Sequence, residues 1–148
     1  MKKFRFSMEA VRFLKNKIEE EAAQKHAKAL VTVGKARVEL EQTEKELNAA
    51  ALVQFSIKKS SAQELMQVNQ FITALEKLRR ERLERCLLAE KEATLARAAL
   101  EKAAREREIL DRVHEHQRKT HRFHVAQQEQ KWMDELAQKV RRGILAAV

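Results

Sequence analysis

The feature that most limits the fold is the near absence of residues that end helices. The chain has 148 residues, no Pro and only two Gly, Gly34 and Gly143. Turns depend on Pro and Gly, so few turns can be placed in this sequence. Charged residues make up 36% of the chain and aromatic residues 5%. This composition is typical of long helices or coiled coil, and it predicts an all-α fold.

A seam of small and apolar residues marks a first helix, predicted over about residues 8–54 with Ser7 as its N-cap. The seam alternates in steps of four and three through Ala29, Val33, Ala36, Leu40, Thr43, Leu47 and Ala50. Such an a/d pattern predicts a coiled coil. Upstream, Leu14, Ile18 and Ala22 are spaced by four, which predicts a locally unwound heptad.

The apolar pattern weakens between residues 54 and 64, and a turn is predicted at about residues 55–61. Ser60 and Ser61, with Glu64 three residues after Ser61, predict a capping box. The second helix, predicted over about residues 62–142, has its own seam of Leu65, Val68, Ile72, Leu75, Ala93, Ala96, Leu100, Ala103, Arg107 and Leu110.

The two helices are predicted to form one coiled-coil domain over residues 1–148. A short connection makes consecutive helices antiparallel, so the expected architecture is an antiparallel hairpin. With the turn centred near residue 58, Ala22 is expected opposite Ala93.

The second helix is expected to overhang the first. About 46 helical residues precede the turn and about 80 follow it, a difference of about 50 Å at 1.5 Å per residue. Residues beyond roughly 110 are therefore predicted to lack a partner, although they carry an apolar stripe of Val125, Trp132, Met133, Leu136 and Val140. A lone helix in water does not keep such a stripe exposed, which favours an intermolecular partner. Folding back is the alternative, but no turn residues support it.

The net charge of +9, from 31 basic and 22 acidic residues, suggests an acidic partner, nucleic acid or a membrane surface. Both signs are interspersed, which equally fits a solvated helix surface. The basic segment LRRERLERC, residues 78–86, resembles a helix that could lie on nucleic acid. Glu81 and Glu84 interrupt it, and no motif for reading bases accompanies it.

Catalysis and metal binding are not favoured. A two-helix hairpin has little interior for a substrate pocket, and the chain has no Gly-rich phosphate loop, so no enzyme and no cofactor are predicted. Four histidines, His114, His116, His121 and His124, make a zinc site geometrically conceivable. However, Arg118 stands where a metalloprotease motif needs its second His. A solvated basic surface and a pH-sensitive contact are the alternatives.

The single cysteine, Cys86, allows no internal disulfide and fits a reducing cytosol. The N-terminus starts basic but has no uninterrupted apolar core, because Glu9 and Arg12 break it, so no signal peptide is predicted. No apolar run approaches the length of about 18 residues that spans a bilayer. The chain is expected to be soluble and cytoplasmic.

The segment QFITALEKL, residues 70–78, has an apolar stripe wider than a seam requires. Phe71, Ile72, Leu75 and Leu78 all lie on it. One interpretation is a plug that closes the hairpin beside the turn, and the other is a docking patch.

Three segments resemble a known family in order and spacing: FRFSMEAVRFLKNKIEEEA at residues 4–22, QFITALEKL at 70–78 and EQKWMDELAQKV at 129–140. Over nearly its whole length the chain is similar to the flagellar export protein FliJ family. The injectisome stalk proteins of the YscO type share this architecture with weaker sequence similarity.

The resemblance implies a component of the type III protein export apparatus for flagellum biogenesis, with the fold of the rotary ATPase γ-subunit stalk. Family members sit in the central hole of the hexameric export ATPase, promote its assembly and activity, and link it to the export gate in the inner membrane. Some also escort export chaperones. The family's gate contact falls on Phe71, Leu75, Leu78 and Arg82 of this chain.

Together, the overhang and the resemblance lead to a hypothesis for the second contact, in which Trp132, Met133, Leu136 and Val140 bind the ATPase ring. Location would be cytoplasmic and peripheral at the inner membrane through the gate. An injectisome stalk, a basic coiled coil that binds nucleic acid and a coiled coil without a specific partner remain the alternatives.

Overall fold

Two long helices account for nearly all of the described chain. The computed structural model describes residues 4–57 and 61–146, with side chains through residue 142. Helix α1 spans Glu9–Ser56 and helix α2 spans Ala62–Ala146, with 48 and 85 residues. They pack against each other as an antiparallel hairpin, and α2 is the longer. This confirms the predicted all-α fold.

The helix starts are set by local hydrogen bonds. The predicted turn includes residues 58–60, which lie outside the described residues, and so does Ser60 of the predicted capping box. At the start of α2, the Glu64 N–H donates to Ser61 Oγ at 3.4 Å, as an N-cap serine requires. At the start of α1, the Arg12 N–H donates to the Met8 carbonyl at 2.9 Å. Met8, rather than the predicted Ser7, therefore holds the N-cap position.

Packing divides the chain into two compact units. The middle unit is Ile18–Ala103, and the end unit combines Met1–Lys17 with Ala104–Val148. That the whole chain behaves as one domain stays a prediction. Within the described residues, neither helix is long and apolar enough to cross a membrane.

The middle unit confirms the predicted α1 seam. Between residues 29 and 50, only the seven predicted positions are buried or half-buried. The seam of α2 also faces inward from Val68 to Leu100, while Leu65 is exposed. The small core joins Val33 of α1 to Ala89 and Ala93 of α2.

The predicted register of the hairpin is wrong by one heptad. Ala29, not Ala22, packs against the cluster that contains Ala93. The Gln54 side-chain amide agrees with the observed register, since its Nε2 donates to Asn69 Oδ1 at 2.6 Å. A shift of one heptad leaves every seam residue in the seam, so the apolar pattern alone could not exclude it.

The start of α1 also departs from the prediction. Leu14 and Ile18 are exposed, whereas Arg12 and Lys15 are half-buried. Steps of four taken twice drift away from a heptad seam, because every second step must be three. The inward positions of α1 in the end unit are consequently polar.

Ion pairs join the helices in the end unit. Lys15 Nζ lies 2.6 Å from Glu106 Oε2, and Arg12 Nε lies 2.7 Å from Asp111 Oδ1. Arg107 Nη1 also donates to Asp111 Oδ2 at 2.6 Å. The hydrogen bond from Arg12 is the main cause that holds the pKa of Asp111 below its ordinary value.

We expect Asp111→Asn to lower the free energy of unfolding by about 1 kcal/mol at pH 7. Because folding lowers this pKa, the stabilisation is complete above about pH 4 and is lost as the pH falls through the folded-state value. The variant should therefore lose less stability than the parent below about pH 4. Denaturant unfolding followed by circular dichroism at several pH values measures this. Asp134→Asn, at an exposed aspartate, is the control, and parallel pH profiles for parent and Asp111→Asn would contradict the assignment.

Candidate functional site

Two surfaces contain the residues predicted to bind partners. We call Phe71, Leu75, Leu78 and Arg82 the tip stripe, and Trp132, Met133, Leu136 and Val140 the arm face. The tip stripe belongs to the middle unit and the arm face to the end unit, so each is described by itself.

The tip stripe lies largely against α1. Leu75 is 5% exposed and belongs to the core, and Leu78 is half-buried, whereas Phe71 is 56% exposed. Leu75, Leu78 and Arg82 turn toward the other helix, whereas Phe71 lies beside the seam residue Ile72 and outside the seam. Phe71 is the member of the stripe that presents most of its side chain.

Arg82 is held by the hairpin itself. Its Nη1 donates to the Glu39 carbonyl at 2.7 Å and to Thr43 Oγ1 at 2.6 Å. Sequence reasoning placed Thr43 in the seam but missed this pairing. A polar residue in an apolar seam was the available signal, because a buried hydroxyl needs a partner.

Other exposed apolar side chains lie on the parts of α1 and α2 next to the turn. They are Leu52, Phe55, Leu65 and Met66. Exposed apolar residues are compatible with a docking patch, and the choice between a docking patch and a plug stays a prediction.

All four residues of the arm face are exposed, and Leu136 is the least exposed of them at 38%. Every residue from 126 to 142, which we call the arm, is exposed in the part of the chain that the structure describes. Trp132 is 61% exposed, and Met133 and Val140 are similar. Positions i, i+1, i+4 and i+8 share one side of a helix, so the four side chains form a continuous apolar strip about 12 Å long.

The unpartnered part of α2 starts later than predicted. Instead of ending near residue 110, the packing continues because residues before α1 cover the histidines. The Phe4 ring centroid lies 5.6 Å from that of His114 and 5.5 Å from that of His121, and Phe6 lies 4.9 Å from His114. Val125 is half-buried. The prediction counted only helical residues, so it overlooked the segment that precedes Glu9.

His114 and His121 thus pack against aromatic rings. Among the described residues, no group of three or more His, Cys, Asp or Glu side chains is arranged to hold a metal ion. Edge-to-face contacts with His114 account for the burial of its ring.

We expect the double variant Phe4→Ala, Phe6→Ala to speed amide exchange in residues 112–121 about tenfold, since the lost ring contacts are worth about 1.4 kcal/mol. Exchange in residues 130–142 should not change, because that segment is exposed already. Hydrogen–deuterium exchange with mass spectrometry measures both segments. Phe123→Ala, at an exposed ring, is the matched control, and equal protection in all three proteins would contradict the assignment.

The charge of α2 after residue 111 favours an acidic partner. Residues 112–142 contain eight Lys and Arg but four Asp and Glu. One ion pair lies within this part of α2, where Lys119 Nζ is 2.9 Å from Glu115 Oε1. The hydrogen bond from Lys119 lowers the pKa of Glu115. The net charge of residues 112–142 therefore stays positive.

Three arginines of the basic segment at residues 78–86 form ion pairs or hydrogen bonds within the hairpin. Arg79 Nε lies 3.3 Å from Glu44 Oε1, and Arg82 is bonded to α1. Arg80 Nε donates to the Glu76 carbonyl at 3.4 Å. Guanidinium groups held in this way are less available for phosphates, which weakens the nucleic-acid interpretation.

Comparison with known proteins gives one informative result. Neither the curated proteins nor the solved structures contain a match to this chain. A family model described as "Flagellar FliJ protein" matches residues 4–142, nearly the whole chain. The matched region contains both the tip stripe and the arm face. The chain therefore belongs to the flagellar FliJ family, whose members are non-catalytic components of the flagellar export apparatus.

Proposed function

We propose that this chain is the stalk of the flagellar export ATPase, and that its arm enters the central hole of the ATPase hexamer. The observation that carries the proposal is the arm face, an apolar strip that starts at Trp132 on a helix segment that is exposed throughout. The hexamer is expected to assemble and turn over faster with the stalk in place.

The arm has the dimensions that such a contact needs, and its apolar strip supplies part of the energy. Residues 126–142 form about 25 Å of helix with a diameter of about 10–12 Å. Burying each of the four exposed apolar side chains contributes about 1–2 kcal/mol. The total of about 4–8 kcal/mol is comparable with the entropic cost of association, so the contact also needs interactions beyond these four side chains.

The charge of the arm fits a ring lumen that carries carboxylates. Lys131, Lys139, Arg141 and Arg142 flank the arm face. Complementary charge raises the rate of encounter more than it raises the final affinity. The apolar strip would then provide most of the binding energy.

The tip stripe is proposed to contact the export gate, which would bring the chain to the inner membrane without a membrane span. Phe71 and the exposed apolar residues next to the turn would form the contact. Leu75, Leu78 and Arg82 would act by holding α2 against α1, since Leu75 is buried and Arg82 is bonded to Thr43. Export chaperones are the third proposed class of partner, which rests on membership of the family.

The proposal is tested by mixing the full chain with the purified flagellar export ATPase. The hexamer fraction, measured by light scattering, and the rate of ATP hydrolysis should both rise with the chain's concentration and saturate. Unchanged hexamer fraction and unchanged hydrolysis would refute the proposed role.

The injectisome alternative is tested by the same assay with an injectisome ATPase, which should respond less. The flagellar family match favours this order. Nucleic-acid binding would instead fall steeply as salt rises from low to moderate concentration, whereas an apolar contact between arm and ring should persist.

A further inference from the structure

A polar layer interrupts the seam of the middle unit. Arg82 Nη1 donates to both the Glu39 carbonyl and Thr43 Oγ1, and Thr43 Oγ1 donates to the same carbonyl at 2.9 Å. Thr43 is 0% exposed. No buried side-chain nitrogen or oxygen among the described residues lacks a hydrogen-bond partner. The buried hydroxyl of Thr43 is therefore satisfied, and the layer joins α2 to α1 at one level.

The seam around this layer is repetitive. One heptad series of α1 has Ala at every position except the fourth: Ala22, Ala29, Ala36, Thr43 and Ala50. The other series holds aliphatic side chains of similar size at Val33, Leu40 and Leu47. If α2 shifted by one heptad, most of its seam residues would meet another Ala in place of an Ala, or another aliphatic residue in place of an aliphatic one. Between residues 29 and 50, Thr43 is the seam position that changes in kind, and His26 and Gln54 bound the aliphatic series on either side.

In either shifted register the Arg82 guanidinium would meet an alanine. Ala36 lies one heptad before Thr43 and Ala50 one heptad after it, and neither offers a hydroxyl. The ion pair between Arg37 and Glu90 would also be broken, but the Arg37 side chain is 66% exposed. Exposed ion pairs contribute little to specificity of this kind.

We propose that the layer formed by Thr43 and Arg82 fixes the register of the middle unit, with Arg82 as a positioning residue. Polar groups at single seam positions specify coiled-coil register in the same way. The proposal concerns the hairpin itself and does not depend on the ATPase or the gate. By fixing the register, Arg82 would determine which residues of α1 lie beside Phe71.

The single cysteine makes the register measurable. Ala36, Arg82 and Ala89 line one groove between the helices, which places Ala36 level with Cys86. A shift by one heptad moves α2 by about 10 Å along α1. Disulfide bonds form only when the Cα atoms are within about 7 Å. In the shifted registers Cys86 would be level with position 29 or position 43.

The test compares intramolecular disulfide formation in full-length chains that carry Ala36→Cys or Ala29→Cys, oxidised at low concentration and resolved by mass and gel mobility. With Thr43 in place, the cysteine at position 36 should pair with Cys86 and the cysteine at position 29 should not. Thr43→Val keeps the side-chain shape and removes the hydroxyl. In the Thr43→Val background, the yield of the disulfide between position 29 and Cys86 should rise at least about fivefold, because more chains would occupy the shifted register.

Two companion variants complete the test. Thr43→Ser keeps the hydroxyl and should restore the parent pattern, which simple loss of packing would not do. Thr43→Cys reports the opposite shift by pairing with Cys86. The outcome that overturns the proposal is an unchanged yield at position 29 in a Thr43→Val chain of native helicity, together with no disulfide to Cys86 in the Thr43→Cys chain. If Thr43→Val does not fold, Arg82→Met decides the question by the same yields.

Discussion

Replacing Trp132 with Ala is expected to weaken binding of the chain to the export ATPase hexamer by about 30-fold or more. A buried tryptophan at the centre of an interface commonly contributes 2 kcal/mol or more, which corresponds to about this factor. Trp132 is 61% exposed in the isolated chain, so its loss should leave the stability of the hairpin within about 0.5 kcal/mol. Isothermal titration calorimetry and hydrolysis rates measure the binding, and thermal unfolding measures the stability.

The matched control is Phe123→Ala. Phe123 is also an aromatic residue of α2 with 61% exposure, but nine residues before Trp132 it projects from the opposite side of the helix. This variant should bind the hexamer as the parent does. Equal losses from both substitutions would show that aromatic content, rather than the arm face, governs binding.

The second large effect is expected within the tip stripe, where Leu75→Ala should lower the free energy of unfolding by about 2–3 kcal/mol. Leu75 is 5% exposed, and truncating a buried leucine costs its transfer free energy and leaves a cavity. Leu88→Ala, at an exposed leucine of the same helix, should change stability by less than about 0.5 kcal/mol. Urea unfolding followed by circular dichroism gives both values.

Phe71→Ala separates gate contact from hairpin packing. Because Phe71 is mostly exposed, this variant should keep the parent stability and bind the cytoplasmic domain of the export gate about tenfold more weakly. A Leu75→Ala chain that loses gate binding while keeping full stability would contradict this division of roles. The gate would then contact Leu75 directly.

The seam of α1 was predictable because it depends on a periodic pattern. The seam residues from Ala29 to Ala50 alternate in steps of four and three, and the one Gly between them, Gly34, does not end the helix. Exposure of the arm face was predictable from helix length. Because α2 has many more residues than α1, its last turns have no residues of α1 to pack against.

The register was not predictable from the same pattern. It depends on individual contacts such as the hydrogen bond from Arg82 to Thr43, which an apolar periodicity does not encode. The ring contacts of Phe4 and Phe6 with the histidines were missed because the two phenylalanines precede α1 and follow no repeat. The polar seam of Arg12 and Lys15 was missed because an apolar stripe at Leu14 and Ile18 fitted a different spacing.

The tip stripe illustrates a further limit. The resemblance to the family grouped Phe71, Leu75, Leu78 and Arg82 as one contact. In the structure, Phe71 is exposed, Leu75 is buried, Leu78 is half-buried and Arg82 is hydrogen-bonded to α1. Which of them a gate can reach follows from the hairpin's packing, and packing depends on the register.

The most direct test of the stalk proposal is the stoichiometry of the complex with the flagellar export ATPase, measured by native mass spectrometry. A single arm in a central hole predicts one copy of the chain for each ATPase hexamer, at every excess of the chain. Trp132→Ala should reduce the occupied fraction without changing this ratio. Six copies for each hexamer, bound equally by parent and Trp132→Ala, would place the chain on the outer surface of the ring and contradict the account.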